Sequence, residues 1–225
     1  YRPFGTKYNH LAPMTDNITF ATTSEWKIDQ ASDFLSDYGI TVQKPPSFEE
    51  FEGQKWTKEP GGVDEYAIEI QSDSFEEVTE YKAYSASQRL DQPVIVEDTG
   101  VHIDSLNGFP GPYSKYAILT IGVDGIVKLM EVQSDRTAEY VSVVGYCAPG
   151  EEPRTFVAEQ PGKITREQQF DPDNPWADAL LNPIFSPHEI DDRTLGELPP
   201  DQIIELGSYP MKNSTQAFGD WYTSR

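Results

Sequence analysis

Apolar residues along this chain recur with two periods, and the changes of period mark the elements. After Asn17 the run ITFATT is short and β-rich, and Pro93 to Val96 is a solid apolar run bounded by a proline. Both read as buried strands, the second ending at Asp98. From Ser24 the spacing changes: Trp26, Ile28, Ala31, Phe34, Leu35 and Tyr38 share one face of a predicted helix, with Gly39 as its stop. A second helix is predicted over Phe75 to Leu90, capped near Ser74. Alternation in YAIEIQ, 66 to 71, predicts a strand, and HIDSL, 102 to 106, another. Helices follow at Ser114 to Leu119 and at Gly125 to Val132. Thr137 to Ala148 and Arg154 to Glu159 predict a hairpin turning at Pro149-Gly150, and Gly162 to Ile164 continues the sheet. Glu167 to Pro175 reads as a loop. Asn182 to Phe185 is the last predicted strand, with weaker helical patterns at Leu198 to Leu206 and Thr215 to Tyr222.

No repeat and no linker-like stretch divides the chain. Residues 44 to 63, rich in proline, glycine and charge, read as an inserted loop or hairpin. Residues 1 to 16, broken by Pro3, Gly5 and Pro13, read as an N-terminal arm or tail. The expectation is one α/β domain over 17–225.

Composition narrows the function classes. A chain of 225 residues with 37% hydrophobic and 12% aromatic content can bury a sizeable core. Its 38 acidic against 17 basic residues give a net charge of −21. That sign opposes nucleic-acid binding, so no nucleic acid is expected as partner. Such acidity suits solubility, including at high salt. The lone cysteine, Cys147, sits among Val143, Val144 and Tyr146 and reads as a buried thiol; it cannot form an intrachain disulfide, which fits a reducing compartment. His10, His102 and His188 show no metal spacing. No apolar run approaches the ~18 residues of a membrane span, and no signal-peptide pattern is visible. A cytoplasmic protein without membrane contact is expected.

Chemistry concentrates at residues 93 to 116, PVIVEDTGVHIDSLNGFPGPYSKY. Two adjacent carboxylates, Glu97 and Asp98, close the apolar run. A loop dense in turn formers follows, Gly100, Asn107, Gly108, Pro110, Gly111 and Pro112, and then a cation, Lys115. Magnesium prefers hard oxygen ligands and binds through one or two carboxylates together with substrate phosphates. A nearby lysine offsets phosphate charge. Upstream, strand, polar turn and helix at 17 to 38 match a common phosphate-binding arrangement, because a helix N-terminus offers free amides and a favourable dipole.

The ordered string VEDTG followed by LNGFPGPYSK resembles the signature of the inosine triphosphate pyrophosphatase family, above all its archaeal members. That family hydrolyses non-standard purine nucleoside triphosphates, and the resemblance extends from about Asn17 to Phe218. It implies an elongated mixed β-sheet flanked by helices, two lobes around a central cleft, and a homodimer. It also implies roles. The family's T-x-N-x-x-K becomes Thr22-Thr23-Ser24-Glu25-Trp26-Lys27, which keeps the phosphate lysine as Lys27 and replaces asparagine by Ser24. Thr22, Ser24, Lys27 and Lys115 would bind substrate. Glu69, with Glu65 as fallback, and Asp98 would hold Mg2+. Asp98 would also orient the attacking water, with Glu97 in support.

The base-reading half departs from the pattern. The family's F-x-[YW]-D-P corresponds to Ala179-Leu180-Leu181-Asn182-Pro183, leaving Asn182 as the substrate-binding candidate; Trp176 and Asp178 lie just upstream. The family's lysine corresponds to Ile203 and its S-H-R to Gly207-Ser208-Tyr209, with Lys212 a few residues late. Polar groups built to pair with a keto edge discriminate strongly, because a wrong partner leaves them unpaired. The implied function is magnesium-dependent hydrolysis of nucleoside triphosphates to monophosphate and pyrophosphate, with altered base preference. The alternative is a weakly active or inactive nucleotide-sensing subunit acting through a protein partner.

Overall fold

The computed structural model describes residues 16–45, 67–177, 179–188, 190–205 and 209–225. The expected arm lies outside these residues except for Asp16, and the expected insertion except for Lys44 and Pro45.

One mixed sheet of six strands organises the chain: β1 (Asp16–Phe20), β2 (Ile40–Gln43), β3 (Val94–Ile103), β4 (Thr137–Cys147), β5 (Arg154–Ile164) and β6 (Phe185–Pro187). Their spatial order is β2-β1-β3-β4-β5-β6. β1 pairs in parallel with β2 and β3, and the other neighbours are antiparallel. The helices are α1 (Glu25–Ser36), α2 (Phe75–Leu90), α3 (Ser114–Leu129), α4 (Pro200–Glu205) and α5 (Pro210–Ser224). Among the described residues no helix is long and apolar enough to cross a membrane.

The expected mixed sheet flanked by helices is therefore present. α1 and α2 begin as their sequences predict, because Ser24 and Ser74 accept the amides of Lys27 and Glu77. The break expected between two helices falls within α3, at Gly122, whose φ of 70° and ψ of 172° interrupt it.

Three local expectations are overturned, and one strand was not anticipated. α1 ends at Ser36, and Gly39, at φ +69°, turns the chain into a strand the pattern did not suggest, β2. Residues 67 to 72 form no strand; Tyr66 lies outside the described residues. The Ile68 amide bonds to Ser85 Oγ on α2 instead of to a neighbouring strand. Asn182 to Ile184 are a turn, closed by bonds from Asn182 N to Ala179 O and Ile184 N to Leu181 O, so β6 starts only at Phe185. Finally, β3 does not stop at Asp98 and restart at His102. It runs ten residues without a break, all paired with β4.

That unbroken strand depends on Gly100. A Cβ there would sit 2.4 Å from Gly111 O, 2.5 Å from Ser114 Oγ and 2.8 Å from Phe75 Cζ. The loop after β3 folds back onto this bare backbone. Ser114 Oγ accepts the Val101 amide at 3.0 Å and donates to Gly111 O at 2.7 Å. Much of the conspicuous loop is thus scaffolding.

Side chains alternate across β3. Val94 and Val96 pack with Ala83 and Ala86 of α2. Ile95 packs with Ile28 and Leu35 of α1 and Phe218 of α5. A second core, around Val101, Ile103, Ile126, Met130, Phe185 and Leu195, fills the other half of the sheet. Each of these cores buries several side chains worth about 1.5–3 kcal/mol apiece. Tyr209 packs against both, and Arg136 closes the edge of the second by donating to Met130 O, Ile164 O and Thr165 O.

Gly100→Ala forces the loop off β3, an overpacking change of about 1–3 kcal/mol. Urea denaturation followed by circular dichroism is expected to show that loss, and a variant as stable as the parent would refute the close approach.

Candidate active site

The turn after β1 builds the first corner. Thr22 Oγ1 accepts the Ser24 amide at 3.2 Å, and Ser24 Oγ accepts the Lys27 amide at 3.4 Å. Both side chains named as substrate ligands thus shape the start of α1. Lys27, one turn in, brings its Nζ to 2.6 Å from Glu97 Oε2. The Glu97 side chain is only 1% exposed. Its other oxygen accepts from Ser142 Oγ of β4 at 2.8 Å, and Ser142 Oγ lies 3.0 Å from Ser214 Oγ of α5. Four elements therefore meet at one buried carboxylate.

Asp98, next in sequence, faces the other way. α2 lies on that side, and its Lys82, 4% exposed in the side chain, meets Glu69 Oε1 at 2.7 Å. Asp98 keeps part of its surface open to solvent, yet close packing pushes its carboxyl up to about 6. Burial is the main cause; Lys82 and Lys27 pull it down, and Glu97 and Glu69 add to the rise.

Of the residues named from the sequence, Lys27, Glu69 and Glu97 thus lie within electrostatic reach of Asp98. Lys82 is the member that was missed. Its signal was legible: it falls on the buried stripe of α2 with Phe75, Val78, Thr79, Ala83 and Ala86, where a charge is out of place.

Two candidates stand apart from this group. Lys115 is exposed in the first turn of α3, and the cations that act on Asp98 are Lys82 and Lys27. Asn182 is buried in a turn, where its Nδ2 donates to Trp176 O at 2.8 Å while its Oδ1 has no partner among the described residues. Of the base-reading positions, Ile203 is buried in the apolar core and Tyr209 stacks on Trp176 with centroids 5.1 Å apart. Asp178, Gly207, Ser208 and the fallback Glu65 lie outside the described residues.

The donor chemistry fits magnesium rather than a metal that demands an all-protein cage. Among the described residues no three acidic, histidine or cysteine side chains form a group able to hold an ion. Asp98 and Glu69 offer hard oxygens, and magnesium commonly takes one or two carboxylates and completes its shell with water and phosphate.

Residues 18–206 match the family model described as the Ham1 family. The chain belongs to the Ham1 family. The match bears out the resemblance read from residues 93 to 116. Ham1 relatives include a dITP/XTP pyrophosphatase of Methanopyrus kandleri, 40% identical over 205 residues, spanning 91% of this chain and 95% of that one. Another, from Methanothermobacter marburgensis, is 35% identical over 208 residues, 92% and 96% of the two chains. Among solved structures, a Ham1 protein of Coxiella burnetii matches with a TM-score of 0.73 at 20% identity, over 94% of this chain and all of that one. The fold is therefore that of the Ham1 proteins.

Asp98 also carries a stability signature. An acid whose folded pKa lies above its unfolded value, about 3.9, binds its proton more tightly in the native state. Stability is then lost as pH rises from about 4 through 6 and stays reduced above that. Asp98→Asn is expected to be more stable than the parent by ~1–3 kcal/mol above pH 6, the gap closing below about pH 4. Denaturant titrations across this range test it; a variant less stable at pH 8 would contradict it.

Proposed function

We propose that this chain hydrolyses nucleoside triphosphates to the monophosphate and pyrophosphate, with magnesium. The observation that carries the reading is the placement of Asp98 between two lysines and two further carboxylates, Lys27, Lys82, Glu97 and Glu69. The names of the relatives as dITP/XTP pyrophosphatases support it. They lend nothing to the sensing-subunit alternative, which is not pursued.

The geometry supports a division of roles. Cleavage between the α and β phosphates builds negative charge on the bridging oxygen. Lys27 and Lys82 neutralise it, the first held in place by Glu97 and the second by Glu69. Asp98 and Glu69 would hold the magnesium ion, which would make its bound water more acidic and screen the phosphate charge. Asp98 would also orient the attacking water. Thr22, Ser24 and the free amides at the start of α1 bind phosphate oxygens. Lys115 and Asn182 complete the substrate contacts from outside this group.

Selectivity for inosine is expected to be weak. Ile203 has no polar atom to offer a keto edge, and Tyr209 is engaged with Trp176. Residues 17–225 act as one domain, because β3, β4 and β5 run through both cores. A homodimer is supported by the apolar side chains that α3 leaves exposed, among them Tyr116, Leu119 and Ile121. The buried, unpaired Cys147 suits a cytoplasmic location.

With magnesium, a panel of purine and pyrimidine triphosphates is expected to release pyrophosphate. Asp98→Asn should lower kcat by on the order of 10²–10⁴-fold, and chelation of the metal should stop release. A parent chain that forms no pyrophosphate from any member of the panel would refute the reading.

A further inference from the structure

Trp26 stands out among the residues without a role so far. It sits in the first turn of α1, immediately before Lys27, and is 40% exposed. A large exposed ring is ordinarily free to change rotamer. This one is held: it stands at 88° to the ring of Trp176 with centroids 5.3 Å apart, and Tyr209 packs at 6.2 Å. Tyr209 is itself held by Phe34 of α1 at 6.0 Å and by its stack on Trp176.

The support behind the ring is built with care. Trp176 lies in a segment of turns yet is only 9% exposed. Two buried asparagines clamp its backbone. Asn174 Oδ1 accepts its N–H at 2.9 Å, and Asn182 Nδ2 donates to its C=O at 2.8 Å. Asn174 is anchored in turn by bonds to the carbonyls of Leu195, Gly196 and Leu198. The cluster also adjoins the charged group. Burial raises the pKa of the Tyr209 hydroxyl above its ordinary value, and the field of Glu97 adds to the rise.

We propose that Trp26 is a stacking platform for the nucleobase of the substrate, read by its π face rather than by hydrogen bonds at its edge. The inference rests on the reading that Lys27 holds the phosphates, since a ring one residue away is within a nucleotide's length of them. A rigid, partly exposed indole backed by packed aromatics binds a base without the entropy cost of ordering itself. Every base has a π face, so stacking tolerates differences at the edge. The substrate class is therefore purine nucleoside triphosphates in general, keto or amino, with pyrimidines held less firmly because their rings overlap less of the indole.

The test separates base from phosphate. Dissociation constants for inosine, adenosine and uridine triphosphates and for inorganic tripolyphosphate, each with magnesium, are measured by calorimetry on the full chain, with pyrophosphate release assayed in parallel. Trp26→Ala is expected to weaken both purine triphosphates roughly 10- to 100-fold and uridine triphosphate less. Tripolyphosphate, which has no base, should stay within about twofold, its affinity being electrostatic. Trp26→Phe should recover most of the loss, which a folding defect would not allow. Equal weakening of tripolyphosphate and purine triphosphates would overturn the proposal, as would unchanged purine affinity or purines and uridine affected alike. Nucleotide binding without pyrophosphate release would instead sink the hydrolytic reading and leave this comparison intact.

Discussion

The contact between Lys27 and Glu97 is the constraint on which the rest of the structure turns. A carboxylate as deeply buried as Glu97 is tolerable only when paired and hydrogen-bonded, and removing one partner of such a pair commonly costs about 3–5 kcal/mol. Lys27 supplies the opposite charge from α1, and Ser142 supplies a donor from β4. Ser214 of α5 packs against that serine. The geometry of two helices and two strands is thereby fixed around one oxygen pair. The same pair sets the position of the Lys27 ammonium.

Sequence pattern carried the architecture where local rules and tertiary contacts agree. α2 was legible in full because Ser74 caps it and its apolar stripe is regular. β4 and β5 were legible because their apolar runs flank a Pro-Gly turn. The failures share a cause: partners distant in sequence decided the outcome. β2 exists because it pairs with β1, and nothing in four residues after Gly39 announces that. Residues 67 to 72 alternate like a strand but are held by a helix serine instead of a ladder. Ordinary turn formers after Asp98 suggested an end to β3, whereas the loop they build returns to cover it.

The site divides along the same line. Glu97 and Asp98 were visible as adjacent acids, and Lys27 as the charged end of a strand-turn-helix unit. Lys82 was legible only as a charge on the buried stripe of α2, while its pairing with Glu69, thirteen residues away on a segment with no regular structure, was not. Lys115 illustrates the converse. It belongs to the most recognisable string in the chain, yet Lys27 and Lys82 are the cations that act on Asp98. The recognisable string is conspicuous largely for its backbone demands, those of Gly100 and of the turn that Ser114 closes.

One consequence of the unbroken β3 concerns register. Glu97 and Asp98 are neighbours that serve opposite faces of the sheet, and each side has its own lysine waiting. A slip of one residue between β3 and β4 would exchange them, placing Asp98 before Ser142 and turning Glu97 toward α2. Both acids would still be carboxylates, but neither side-chain length would suit its new partner. The two-residue acidic step thus works as a vernier: the ladder has one alignment at which both charges are met. A chain that reaches that alignment has assembled its chemistry in the same event.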